Sequence, residues 1–235
     1  MLEKTKKVLD ILAQDEFFKN NDIKFVGGTA LSHLINHRLS EDLDFAMLEI
    51  NPKEISKLMA KYGGIKEEHN NQLKDSSSND GEDINYSYLK YNLDGVKIEF
   101  FIPPFNLMEL EVWKNDSSTS YENTDLKLAS LETILYMKTM AFWNRKKYRD
   151  LYDIYFVIQN DLYKTKDFLD RYLQYNFTYT KEMLLNKIQS KKEFYKKLTD
   201  EGLNTLVEKP NEYEWYRIEL EKFIYDDYLK ELYKD

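Results

Sequence analysis

The sequence predicts an α+β protein: a mixed N-terminal sheet flanked by helices, followed by a helical C-terminal domain. Three observations predict it. Short alternating apolar runs at 23–26, 42–48, 84–88 and 96–102 interleave with helical stretches in the first half. Asp94-Gly95 marks a hairpin between the last two runs. From about Thr124 the pattern is helical almost throughout, with few breakers. We therefore place a boundary near residue 120, giving domains 1–120 and 121–235.

Each element follows from its residues. Val8, Leu9, Ile11, Leu12, Phe17 and Phe18 recur at helical spacing over 3–20, and Asn20-Asn21-Asp22 ends that stretch. Ile23 to Val26 is a strand running into Gly27-Gly28. Thr29 to His37 is helical, and Asp42 to Leu48 is the next strand. Asn51-Pro52 opens a helix that closes at Gly63-Gly64. Residues 70–83, rich in Asn, Asp, Ser and Gly, are a loop. Strands over 84–88 and 96–102 follow, the second stopped by Pro103-Pro104. Ser130 caps a helix over 131–144. Further helices are expected at 149–159, 166–175, 180–198 and 211–233.

Composition narrows the function classes. The chain has 235 residues, 42% hydrophobic and 32% charged, which suits a globular protein rather than a disordered one. It has no cysteine, so disulfides, thiolate metal sites and cysteine nucleophiles are excluded. A formal charge of −8 argues against a general nucleic-acid coat, because such binding neutralises phosphates. No apolar run approaches the roughly 18 residues of a membrane helix, and no signal-type apolar core follows the charged start. The expectation is a cytoplasmic protein with no membrane partner.

The chemistry concentrates in two stretches, Phe25 to Leu31 and Arg38 to Phe45. Glycine is scarce, with seven in the chain, yet Gly27 and Gly28 adjoin between a strand and a helix. Such a turn seats phosphate oxygens on backbone N–H groups at a helix N-terminus. The Thr29 hydroxyl lies beside it, and Arg38 and Ser40 add donors. Strand alternation puts Asp42 and Asp44 on one face, with Leu43 and Phe45 on the other. Paired carboxylates repel, and a cation relieves the repulsion. Glu99 interrupts an apolar strand, a costly place for a charge. If its strand neighbours that of Asp42 and Asp44, it completes a three-carboxylate site for Mg²⁺ or Mn²⁺ and a nucleoside triphosphate. A lone Asp-x-Asp is usually a solvated turn and a lone Gly-Gly is weaker still; the ordered combination carries the reading.

Gly27-Gly28-Thr29-Ala30-Leu31 with Arg38-x-Ser40-x-Asp42-Leu43-Asp44-Phe45 resembles the nucleotidyltransferase superfamily, and within it the AbiEii toxin type of abortive-infection and type IV toxin–antitoxin systems. The resemblance implies an N-terminal nucleotidyltransferase domain, with the helical domain completing the cleft for nucleotide and acceptor. It makes Asp42, Asp44 and Glu99 metal ligands and catalytic residues. It places Lys138 and Arg145 at the triphosphate, and Asp150, of Asp150-Leu151-Tyr152-Asp153, near the nucleotide or in acid–base work. The implied reaction moves a nucleoside monophosphate to an acceptor hydroxyl, with RNA or tRNA the favoured acceptor and an antitoxin as partner. The alternatives are an antibiotic-type transferase acting on a small molecule, and a non-catalytic module binding nucleotide or a partner. Two departures stand out. The third acid is Glu rather than the commoner Asp, and the toxins' C-terminal Ser/Lys motif has no clear counterpart.

Other polar features read as structural. His33 and His37 lack the Glu of a zinc-protease helix. The run Arg145 to Arg149 either holds an RNA backbone or forms a solvated helix junction. Lys187, Lys191, Lys192, Lys196 and Lys197 recur at helical spacing, a stripe that either tracks nucleic acid or, more commonly, forms a solvated face.

Overall fold

A computed structural model describes residues 1–68, 83–103, 107–191, 203 and 206–232. The chain forms two compact units, Met1–Ile134 and Leu135–Asp235. Of the expected loop at 70–83, all but Asp83 lies outside the described residues, as do Lys192, Lys196 and Lys197.

The first unit is built on a seven-stranded mixed sheet. Its strands are β1 (Ile23–Val26), β2 (Leu43–Met47), β3 (Ile65–Lys66), β4 (Tyr88–Leu93), β5 (Val96–Phe101), β6 (Thr119–Ser120) and β7 (Lys127–Leu128), in the order β3-β4-β5-β2-β1-β7-β6. The central strands are those the alternation predicts. The pairs β2–β5 and β1–β7 are parallel, and the other neighbours are antiparallel. Asp94 and Gly95, with φ of 53° and 74°, turn β4 into β5 as the Asp-Gly pair requires.

Helices α1 (Glu3–Ala13), α2 (Glu16–Asn20), α3 (Gly27–Ile35), α4 (Pro52–Lys61) and α5 (Leu107–Lys114) complete this unit with the start of α6 (Leu131–Asn144). Residues 3–20 are two helices rather than one, because the Asp15 side chain accepts the Phe17 N–H at 2.8 Å and starts a second helix. Asn51 caps α4 in the same way, with Pro52 in its first turn. The strand expected at 84–88 is a correction. Residues Ile84–Tyr86 form a 3₁₀ turn capped by Asp83. The hairpin register explains it: the ladder opens at Leu93↔Val96 and reaches Tyr88↔Phe101, where β5 ends, so 84–86 have no strand to pair with.

The sheet has two unlike faces. On one, Phe45 stacks on Phe100 with centroids 5.2 Å apart, and Phe18 and Phe25 pack at 5.3 and 5.9 Å from Phe45. Each such contact contributes about 0.5–1.5 kcal/mol beyond area burial. Lys24, Asp44, Lys97 and Glu99 project from the other face, by the alternation and the strand registers.

The second unit holds the rest of α6 with α7 (Tyr148–Gln159), α8 (Thr165–Tyr175), α9 (Lys181–Ser190) and α10 (Tyr213–Leu232). Trp143 stacks on Phe168 at 5.1 Å, and Tyr216 packs on Tyr152 and Tyr155. Lys191 is buried, and its ammonium donates to the carbonyls of Phe142 and Arg145 at 2.5 and 2.9 Å, capping the end of α6. Lys187 donates to the Tyr172 hydroxyl at 3.0 Å. These two lysines of the expected solvated stripe therefore serve the interior. Among the described residues no helix is long and apolar enough to cross a membrane.

One buried ion pair ties β1 to the start of α6. Lys24 Nζ lies 3.2 Å from Asp116 Oδ2 and donates to the Trp113 carbonyl at 2.6 Å, and Asp116 accepts from Ser130 N and Thr133 Oγ1. Removing one partner of such a pair strands a buried charge. Asp116→Ala is expected to lower the unfolding free energy in urea by about 3–5 kcal/mol. Lys24→Met/Asp116→Ala together should cost less than the sum of the single changes, as a double-mutant cycle would read.

Candidate active site

The site grows from the junction of β1 and α3. The strand ends at Val26 and the helix begins at Gly27 with no residue between. Gly27 has φ of 76°, and a Cβ there would stand 2.0 Å from Asp44 Oδ2. The first glycine is thus required twice, for its backbone and for the carboxylate pressed against it. A Cβ on Gly28 would meet the Arg38 guanidinium at 2.7 Å. The diglycine turn therefore leaves room for an acid on one side and a base on the other.

The loop carrying Asp42 is held from two helices. Thr29 Oγ1 bonds Ser40 Oγ at 2.7 Å and donates to the Asp42 carbonyl, and Ser32 donates to the Arg38 carbonyl. From α1, Leu2 N donates to Ser40 O and Thr5 Oγ1 to Glu41 O, both at 2.9 Å. Arg38 is buried and donates to the Leu39 carbonyl at 2.9 Å. So Thr29, Arg38 and Ser40 gather at the turn with Gly27 and Gly28.

Two of the three acids meet directly, and Asp42 is linked to Glu99 through Lys97. In the parallel ladder Asp44 is the register partner of Glu99, and the two carboxyls are hydrogen-bonded. Burial and then the Glu99 charge push the Asp44 pKa well above the ordinary carboxylate range. Glu99 stays ionised. Burial raises its pKa, but Lys97, the Tyr88 hydroxyl and Asp44 together bring it below its ordinary value. Lys97 Nζ stands 3.1 Å from Asp42 Oδ2 and 3.5 Å from Glu99 Oε1. Tyr88 donates to Glu99 Oε1.

This donor set suits a divalent ion in kind, since carboxylate oxygens are hard ligands and two of them already flank one cationic group. Lys97 lies against two of its members. Among the described residues no three acidic or imidazole side chains stand where they would hold a metal ion. Lys97 and Tyr88 escaped the sequence reading of the site. The signal for Lys97 was present: it precedes Glu99 by two, so alternation sets both on one face. A cavity of about 210 Å³ bounded by Phe17, Asn21, Met47 and Glu54 lies at the other ends of β1 and β2 and holds none of these groups.

The second unit contains its own charge cluster. Lys138 Nζ lies 3.2 Å from Asp150 Oδ1 and 2.7 Å from Asp153 Oδ2. Arg145 grips Asp150 with two donors, Nε to Oδ2 at 2.6 Å and Nη2 to Oδ1 at 3.1 Å. Asp150 and Asp153 are buried on the first two turns of α7, while half of Arg145 is exposed. Burial raises the Asp150 pKa, but Lys138 and Arg145 more than offset this and hold it below 3.8.

Gly27→Ala is expected to destabilise the protein by roughly 2–4 kcal/mol in urea melts, from left-handed backbone cost and overpacking against Asp44. Gly28→Ala crowds the flexible far end of Arg38, with Ser40 Oγ at an ordinary 3.5 Å, and should cost less. The Asp150 shift fixes a pH dependence. The folded state binds fewer protons than the unfolded chain below 3.8, so its contribution is whole above that value and is lost as pH falls through the folded pKa. The stability gap between wild type and Asp150→Asn should therefore be widest near neutral pH and shrink on acidification below about pH 4.

Comparison with known proteins supplies the class. The family model described as nucleotidyl transferase AbiEii toxin, type IV toxin–antitoxin system, matches residues 10–226. An uncharacterized protein of Aquifex aeolicus (strain VF5) is 28% identical over 150 residues, a match spanning 63% of each protein and so less than two thirds of that relative. Two solved structures share the fold. A Helicobacter pylori protein proposed to be a nucleotidyltransferase covers 100% of both chains at 16% identity and a TM-score of 0.50. MenT4, a nucleotidyltransferase toxin of Mycobacterium tuberculosis H37Rv, covers 94% of this chain and 82% of its own at 12% identity and a TM-score of 0.51. The chain belongs to the AbiEii nucleotidyltransferase toxin family of type IV toxin–antitoxin systems.

Proposed function

We propose that this nucleotidyltransferase moves a nucleoside monophosphate from a nucleoside triphosphate to a hydroxyl of RNA, tRNA in particular, and releases pyrophosphate. Asp42, Asp44 and Glu99 would hold Mg²⁺ or Mn²⁺. The observation that carries the reading is the meeting of Asp44 and Glu99 on neighbouring strands, with Asp42 linked to Glu99 through Lys97, beside a glycine turn at a helix N-terminus.

When bound, the ion neutralises charge on the triphosphate and on the acceptor oxygen. The remaining work falls to the chain. The free N–H groups at the start of α3 would donate to phosphate oxygens, with the helix dipole favouring the negative charge. Arg38, fixed beside Gly28, would add a planar pair of donors. Thr29 and Ser40 would keep Asp42 in place through the bonds they make to one another and to its backbone. Lys138 and Arg145 would meet the nucleotide by their match to the family pattern, with Asp150 orienting both. Catalysis of this kind rests on alignment and charge neutralisation. The exposed run Arg145-Lys146-Lys147 favours a polyanionic acceptor over a small molecule. A type IV system implies an antitoxin that opposes the activity, and both act in the cytoplasm, where triphosphates and RNA are found.

Incubation with each α-labelled nucleoside triphosphate, Mg²⁺ and total RNA should transfer label to RNA with one triphosphate preferred. Asp44→Asn, close in shape and uncharged, should reduce transfer at least ~10³-fold by loss of electrostatic stabilisation. Labelling that persists in Asp44→Asn, or that moves to a small-molecule acceptor and never to RNA, would sink the respective part of the reading.

A further inference from the structure

Lys97 is a feature that the transfer chemistry does not absorb. Its ammonium lies between two acids that would have to face a metal ion. We propose that Lys97 is the resident counter-cation of the acid site, and that a divalent ion enters by displacing its ammonium from Asp42 and Glu99. The inference rests on the reading of Asp42, Asp44 and Glu99 as metal ligands.

Three observations support it. The distances of 3.1 Å to Asp42 and 3.5 Å to Glu99 put one positive group against both carboxylates at once. The backbone of Lys97 is fixed between β4 and β2, so accommodation falls to the side chain. That side chain is 32% exposed, so a four-carbon stem can carry the ammonium out to water. The contrast on the same sheet face is Lys24. Its side chain is 5% exposed and is held by Asp116 and the Trp113 carbonyl, so its charge cannot leave.

The physics gives a sign. With Lys97 in place, an arriving ion must break two ion pairs and also meet a neighbouring positive charge. Without it, the carboxylates are open but repel one another. A neutral residue at 97 should therefore tighten metal binding and weaken the metal-free fold. A lysine serving only to contact phosphate would leave metal affinity unchanged, and one that orders the ligands would lower affinity when lost.

The test is Mn²⁺ titration of the full chain after chelator treatment, read by the electron paramagnetic resonance signal of free Mn²⁺, together with melting temperature. Lys97→Gln is expected to bind Mn²⁺ about tenfold more tightly than wild type at low salt. It should melt lower without metal and gain more from Mn²⁺. Lys97→Arg should bind like wild type. In wild type, saturating Mg²⁺ should shift the Lys97 Nζ nitrogen resonance, a reading that needs no folded variant. Mn²⁺ binding by wild type with equal or weaker binding by Lys97→Gln, or an Nζ signal unmoved by Mg²⁺, overturns the inference and leaves the ligand assignment standing. Binding that is absent in both proteins, or undiminished in Asp42→Asn, overturns the assignment and the inference with it.

Discussion

Asp44 and Glu99 stand side by side on adjacent parallel strands, and their mutual repulsion constrains everything around them. Neither strand can slide to relieve it. A one-residue slip would turn Phe45 and Phe100 out of the aromatic face and the acids into it. The relief has to come from protons, donors and cations. Asp44 bonds to Glu99, Tyr88 donates to Glu99, and Lys97 lies between Glu99 and Asp42.

The two faces of the sheet divide the labour. The aromatic face supplies non-directional burial that depends little on solution conditions. The charged face supplies chemistry, and it contains two lysines in opposite roles. Lys24 is locked to Asp116 and joins β1 to the segment leading into α6. Lys97 meets its acids at the rim, where water competes for it. Burial separates the roles: a fully desolvated pair acts as a structural joint, while a partly exposed one can exchange partners.

Much of this was legible in the sequence. Alternation places Asp44 and Glu99 on single-strand faces, Asp94-Gly95 fixes the hairpin, and the adjoining glycines mark the β1–α3 junction. The missing parts have physical causes. The two-residue strands β3, β6 and β7 are too short to show any alternation, and their pairing comes from tertiary context. Ile84 to Tyr88 alternates like a strand, yet only Tyr88 joins the ladder, opposite Phe101, and 84–86 lie past the end of β5. The glycine turn was read for its approach to phosphate, but the tight contact of Gly27 with Asp44 needs coordinates, because it joins residues 17 apart. Lys191, apparently one member of a surface stripe, caps α6 in the interior, and sequence spacing gives its helix position but not its direction.

The helical unit repeats the logic of the acid site with the opposite balance. There Lys138 and Arg145 meet Asp150 and Asp153, so the charges close to neutrality without a proton or an ion. Burying two acids and a lysine this completely costs desolvation that an apolar cluster would avoid. A buried ion pair is thus weak support for a purely stabilising role, and the fold has ample aromatic packing nearby in Trp143 and Phe168. What the cluster uniquely provides is a fixed orientation for Arg145, whose guanidinium is gripped at two atoms while half its surface remains open. An arginine held in that way meets a phosphate with little conformational entropy left to lose.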